Sequence, residues 1–194
     1  MAEVPNDTFA DRRETAIAGQ PVVDPADWTA TEMAATDDWC YQLDHHEIDE
    51  LHAAATPHDC ENLDLMTLGR DAFDLPQLAP VLSDLRRELL YGRGFALLRG
   101  LPVDEFGKRA TAIAFWAIGQ YLGDDVLSQN KHGHVLGHVT DIGESRSNPS
   151  QRGPYSREEI PFHVDCADIV GLLCMEVSKN GGESIDGLRG ERLK

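Results

Sequence analysis

Basic residues, paired cysteines and long apolar runs are all scarce in this chain. Seventeen Lys and Arg stand against 34 Asp and Glu in 194 residues, a formal net charge of −17 with pI near 4.7. A phosphate-backbone partner needs a basic face, so nucleic acid is excluded, and an anionic membrane surface is disfavoured by the same sign. The four cysteines, Cys40, Cys60, Cys166 and Cys174, contain no CxxC spacing. Cys166 and Cys174 lie in an apolar stretch, where a free thiol behaves as a small buried hydrophobe. No apolar run approaches the roughly 20 residues of a membrane span. The acidic opening, Met1-Ala-Glu-Val-Pro-Asn-Asp, lacks the apolar core of a secretory signal. The expected compartment is therefore the cytoplasm. Internal repeats and low-complexity tracts are absent too. Apolar residues make up 41% of the chain, enough for a folded core in one ordinary domain or in part of a larger one.

Residues 1–38, rich in Ala, Asp, Thr and Pro, read as an extended N-terminal arm that docks through Trp28 and Trp39. The Leu43-Asp-His-His-Glu-Ile48 run is a helix start: Asp44 as cap, Glu47 three residues on, and Leu43 with Ile48 as a staple. Thr56-Pro57 should stop that helix. His45 and Glu47 mimic a metal pair, but residues two apart on a helix do not face each other, so the capping role is favoured. His52, His58 and Cys60 lack the partner that would complete zinc-ligand spacing and read as surface or loop residues. Leu78, Val81, Leu82, Leu85 and Leu89 recur at helical spacing from Pro76 to Tyr91, and Gly92 and Gly94 end the run. Phe95–Arg99 reads as a short buried strand closed by Gly100. A second long helix begins at Asp104, with Phe106, Ala110, Ile113, Ala117 and Tyr121 on one face and Gly123 as its stop; Phe115 and Trp116 belong to its core or interface. Helices flanking a strand, followed by a strand-rich segment, give an α+β domain over 39–184 whose N-terminal helices buttress a sheet.

After Val126 the character changes. Residues 135–142 read as a strand bearing His138, and 143–155 as a polar loop. His132, His134 and His138 have no carboxylate of fixed geometry beside them and are read as ordinary polar residues. The loops leading to the next strand carry Gln129, Asn130, Arg152 and Tyr155 as candidate substrate contacts. That next strand holds Ile160-Pro-Phe-His-Val-Asp165, followed by a longer apolar strand to Val177 and the turn Asn180-Gly-Gly-Glu-Ser184. Side chains on a strand alternate faces, so His163 and Asp165 should stand side by side. An imidazole and a carboxylate so placed are two of the three ligands of a 2-His-1-carboxylate iron site.

These residues carry a resemblance. Tyr91-Gly-Arg-Gly-Phe-Ala-Leu-Leu-Arg-Gly-Leu-Pro102, Ser128-Gln-Asn130 with Leu136-Gly-His-Val-Thr-Asp141, and Phe162-His-Val-Asp165 followed by Asn180–Ser184 occur in that order. The stretch from about Pro76 to Ser184 is similar to the TauD/TfdA family of Fe(II)- and 2-oxoglutarate-dependent dioxygenases. The resemblance implies a double-stranded β-helix, the cupin-like jelly roll. It also implies that His163 and Asp165 ligate iron, that the Ser184 hydroxyl helps hold 2-oxoglutarate, and that Gly181 and Gly182 shape the turn. The implied activity is hydroxylation of a small organic substrate, coupled to conversion of 2-oxoglutarate to succinate.

The family's third ligand, a distal His, and the Arg that pairs with 2-oxoglutarate come many tens of residues after the His-x-Asp pair. Only 29 residues follow Asp165, none of them a histidine, and 185–194 read as an atypical polar tail without strand alternation. Arg189 and Arg192 fall too early to be that arginine. The expectation is a partial barrel, an incomplete and inactive piece of a dioxygenase. The competing expectation is a non-catalytic interaction module that pairs its exposed sheet with another chain. A cupin-like isomerase fits less well, since such sites draw more histidines from their first strands. Self-association into a homo-oligomer is left open.

Overall fold

The structure, a computed structural model, describes residues 17–21, 23–124, 126, 135–140, 163, 165 and 167–179, with the backbone of 185–186 and 191–192. It divides into two compact units, 1–124 with 168–194 and, separately, 125–167. Each is treated by itself.

The first unit is built on three helices. α2 (His45–Ala55) starts where the capping box predicts: Asp44 accepts from the Glu47 N–H at 2.9 Å, and Glu47 accepts from the Asp44 N–H at 2.9 Å. Its last turn runs into a short 3-10 turn at Thr56–His58, with Pro57 inside it. Leu51 and Ala55 are buried on α2, which packs on a later helix, and Leu43, just before the cap, is buried too. α3 (Leu78–Tyr91) buries Leu78, Leu82 and Leu90, with Val81, Leu85 and Leu89 half-buried beside them. Its N-terminus has no cap of its own. Both carboxylate oxygens of Glu50, on α2, accept the N–H groups of Gln77 and Leu78 at 2.9 Å instead.

α4 (Val103–Leu122) is the centre of the core, and α2 and α3 both pack on it. Ala110, Ile113 and Ala117 lie on its buried face as expected. Thr111, Ala114, Trp116 and Ile118 widen that face until the helix is enclosed on most sides. Trp116 donates its indole N–H to the Leu68 carbonyl at 2.8 Å, and the Tyr121 hydroxyl donates to the Phe73 carbonyl at 2.7 Å. Gly107 interrupts the helix with φ +72° and ψ 165°, a conformation that L side chains rarely adopt.

Two strands lie beside the helices. β1 (Cys40–Gln42) pairs in parallel with β2 (Leu97–Arg99), Tyr41 opposite Leu98. The sequence reading has no strand at Cys40. It also makes Phe95–Arg99 a buried strand, whereas Leu97 is 37% exposed and only Phe95, just outside the ladder, is buried. A two-stranded sheet gives each strand one neighbour, so burial is incomplete. Residues 30–34 of the arm form a one-turn helix, α1 (Ala30–Ala34), closed by a Thr29–Glu32 capping box.

Residues 168–179 return to α4 as irregular chain, not as the long apolar strand expected. Gly171 lies so near α4 that a Cβ there would meet the Phe115 ring at 3.1 Å. Ile169, Leu173 and Met175 are half-buried, while Val170, Leu172 and Val177 are 53, 78 and 88% exposed. Cys174 is exposed too, its thiol facing the Glu176 carbonyl at 3.5 Å, against the reading of a buried hydrophobe. A strand exists only where a partner ladder holds it. Among the described residues none lies beside this one. The tail forms β3 (Ile185–Asp186) and β4 (Glu191–Arg192), an antiparallel pair two residues long, too short to need the alternation it lacks.

Candidate metal centre

In the second unit, residues 135–140 form a bend and irregular chain rather than the expected strand. Val139 stands 69% exposed there, and no neighbouring strand covers it among the described residues. His138 is exposed. Further along, His163 and Asp165 belong to no strand, yet their side chains meet: Nε2 of His163 lies 3.9 Å from Oδ2 of Asp165. The i, i+2 spacing is the one that puts two side chains on the same face of an extended segment.

The two groups are 59% and 55% exposed. An imidazole nitrogen and a carboxylate oxygen are the donor types of a mononuclear iron site, and a cation arriving from solvent reaches both. The pair fits two of the three protein positions of such a centre. No third donor is gathered beside them: among the described residues no group of three or more His, Cys, Asp or Glu side chains is placed to hold a metal. Ser184, the glycines at 181 and 182, and the proposed substrate contacts Gln129, Asn130, Arg152 and Tyr155 lie outside the described residues, as do His132 and His134.

The histidines set aside from the sequence occupy other places. His45 and His46, on the exposed first turn of α2, lie with ring centroids 3.8 Å apart. His52 packs on Phe106, and His58 on Phe73 with its Nε2 3.2 Å from the Ala72 carbonyl. Cys60 is exposed. A cleft of about 210 Å³ in the first unit, lined by Val103, Asp104, Gly107, Lys108, Met175 and Glu176, contains none of the candidate metal, cosubstrate or substrate residues read from the sequence.

The sequence reading gave Glu47 its capping role but not its burial or its tyrosine partner. Glu47 is only 4% exposed, and besides its capping bond it accepts the Tyr41 hydroxyl at 2.7 Å. That bond to a carboxylate, together with burial, pushes the Tyr41 hydroxyl up to about 12. The signal lay in β1: a tyrosine three residues before the cap, on a strand leading into the helix. No helix of the described residues is long and apolar enough to cross a membrane.

Residues 56–185 match the family model described as taurine catabolism dioxygenase TauD, TfdA family. Over 168 residues the chain is 30% identical to the FR-33289 synthase of Streptomyces rubellomurinus, covering 86% of this chain and 49% of that protein. Over 190 residues it is 26% identical to the taurine hydroxylase-like protein SAT17 of Stachybotrys chartarum, covering 95% of this chain and 49% of the relative. The chain spans about half the length of the curated relatives it matches.

Proposed function

The chain belongs to the TauD/TfdA family of dioxygenases, whose members depend on Fe(II) and 2-oxoglutarate, and from that premise we propose that it carries the first half of such a site. The observation behind this reading is the meeting of His163 and Asp165 within the matched stretch. In the proposal these two residues hold iron from one side. The imidazole supplies a neutral nitrogen, and the carboxylate supplies the negative charge that favours a divalent cation. In the same proposal the Ser184 hydroxyl helps hold 2-oxoglutarate, Gly181 and Gly182 serve the turn before it, and Gln129, Asn130, Arg152 and Tyr155 contact a small organic substrate. Iron and 2-oxoglutarate, when bound, would supply C–H hydroxylation by O₂, one oxygen atom going to the substrate and the other to succinate as 2-oxoglutarate loses CO₂. The jelly roll of the family is the proposed setting, and the hydroxylase-like name of the fungal relative agrees with that reaction class.

No histidine follows Asp165 in these 194 residues. We therefore expect the chain by itself to bind Fe(II) weakly and not to turn over 2-oxoglutarate. Titrating Co(II), as a redox-stable stand-in, into the full chain with 2-oxoglutarate checks the site: His163→Ala should weaken binding at least about tenfold. Equal binding by the variant removes the site, and succinate production that His163→Ala abolishes removes the inactivity. A second reading, a non-catalytic interaction module, draws on the exposure of Val170, Leu172 and Val177. It predicts association with another chain that His163→Ala leaves unchanged.

A further inference from the structure

Residues 24–39 are organised without a core of their own. Among the described residues from 17 to 39 none is buried; the first buried side chain is Leu43, at 3% exposure. Several of the hydrogen bonds inside the segment are local. The Asp24 carboxylate accepts the Ala26 N–H at 2.7 Å, Thr29 and Glu32 cap α1, and the Trp39 indole donates to the Met33 and Thr36 carbonyls at 3.1 and 3.0 Å.

The two tryptophans attach the segment to the core over a long range. The Trp28 ring lies on Phe95 with centroids 4.9 Å apart, and its indole N–H donates to the Arg93 carbonyl at 2.9 Å, across 65 residues of sequence. Trp39 approaches the same Phe95 ring at 5.9 Å. The receiving turn is fixed from its other side. Glu88 accepts both the Arg93 N–H at 3.0 Å and the Arg93 side-chain Nε at 2.6 Å, and its carbonyl receives the N–H groups of Gly92 and Gly94. Gly94, at φ +86°, lets the chain turn there. A rigid socket therefore meets a key on a segment with no buried anchor.

We propose that residues 24–39 form a strap that opens and closes as one piece on the Trp28–Arg93 latch while the α2, α3 and α4 core stays folded. Segments with few buried contacts open at a fraction of the global unfolding free energy. The hinge lies at Trp39–Cys40, where the Trp39 carbonyl accepts the Leu97 N–H at 2.8 Å and the β1–β2 ladder begins. Closed, the strap covers Phe95, which is 8% exposed. Open, it uncovers that ring between Tyr91 and Leu97, already 39 and 37% exposed, and so creates an apolar edge along β2.

Peptide-level hydrogen exchange on the full chain tests this. In the wild type, residues 24–36 should exchange far faster than residues 112–118 of α4. Trp28→Ala should speed exchange in the strap at least about tenfold and leave α4 within about twofold of the wild type. Glu88→Gln, which loosens the socket without touching the strap, should speed strap exchange as well. Strap protection equal to that of α4 in the wild type overturns the proposal, and so does a loss of α4 protection in Trp28→Ala that matches the strap's. Unchanged strap exchange in both variants overturns the latch.

Discussion

Glu47 does two jobs with one carboxylate. One oxygen closes the N-terminus of α2 through the Asp44 N–H, and the other takes the Tyr41 hydroxyl, all at 4% exposure. Removing the hydroxyl leaves a buried carboxylate oxygen short of a donor, so Tyr41→Phe should destabilise the fold by about 1.5–3 kcal/mol, the range for a hydrogen bond to a charged group. The pH dependence has a definite sign. Tyr41 ionises at about 12 in the folded chain against 10.0 ordinarily, so its contribution is complete below pH 10 and lost as pH rises through 12. Urea unfolding of wild type and variant should show a gap that is constant up to pH 10 and narrows above it. A gap independent of pH across that interval would mean that the hydroxyl does not titrate as the structure implies.

Helices α2 and α3 are joined at an element's end rather than along its side. Glu50 of α2 takes up two N–H groups that α3 would otherwise leave bare, a cap supplied across 27 residues of sequence. Glu50→Ala should cost about 1 kcal/mol, seen as a lower urea midpoint, while an unchanged midpoint would show that water replaces the cap at no loss. That cap could not be foreseen, because it depends on how two helices pack. The Asp44–Glu47 box was legible, since a cap and its partner three residues on form a local pattern. The glycine stops after α3 and α4 were legible for the same reason. β1 was not: Cys-Tyr-Gln shows no alternation, and its ladder partner lies 57 residues away. The break at Gly107 was hidden too, because a lone glycine in an amphipathic pattern usually stays helical. At the candidate metal centre, the spacing of His163 and Asp165 made their 3.9 Å approach foreseeable, while their role as ligands stays a proposal. The strand expected to carry them could not be secured in that way, because a strand needs a neighbour that no short motif specifies.

Charge acts on the molecule as a whole. Between residues 37 and 74 eleven acidic side chains face a single arginine, Arg70, whose guanidinium sits 4.4 Å over the Tyr121 ring. The ion pairs of the unit are mostly exposed, as Arg109–Asp59 at 3.2 Å is, and such pairs contribute little. Self-repulsion should therefore outweigh them. Raising sodium chloride from about 10 mM to about 0.5 M shortens the screening length from about 30 Å to below 10 Å, and the thermal midpoint should rise by a few degrees. A falling midpoint would give the larger role to the ion pairs.

The parallel pairing of Cys40–Gln42 with Leu97–Arg99 also sets an order of events in time. Closing a loop of 57 residues costs about 3–4 kcal/mol of chain entropy, which a three-residue ladder recovers only once the intervening chain is compact. Both long helices between the strands pack on α4, which follows β2, so the compact core that would bring the two ends together also needs chain beyond residue 99. On a chain still being synthesised, β1 must wait with its edge bare until residue 99 has emerged, and the first third of this fold is made long before its sheet can exist.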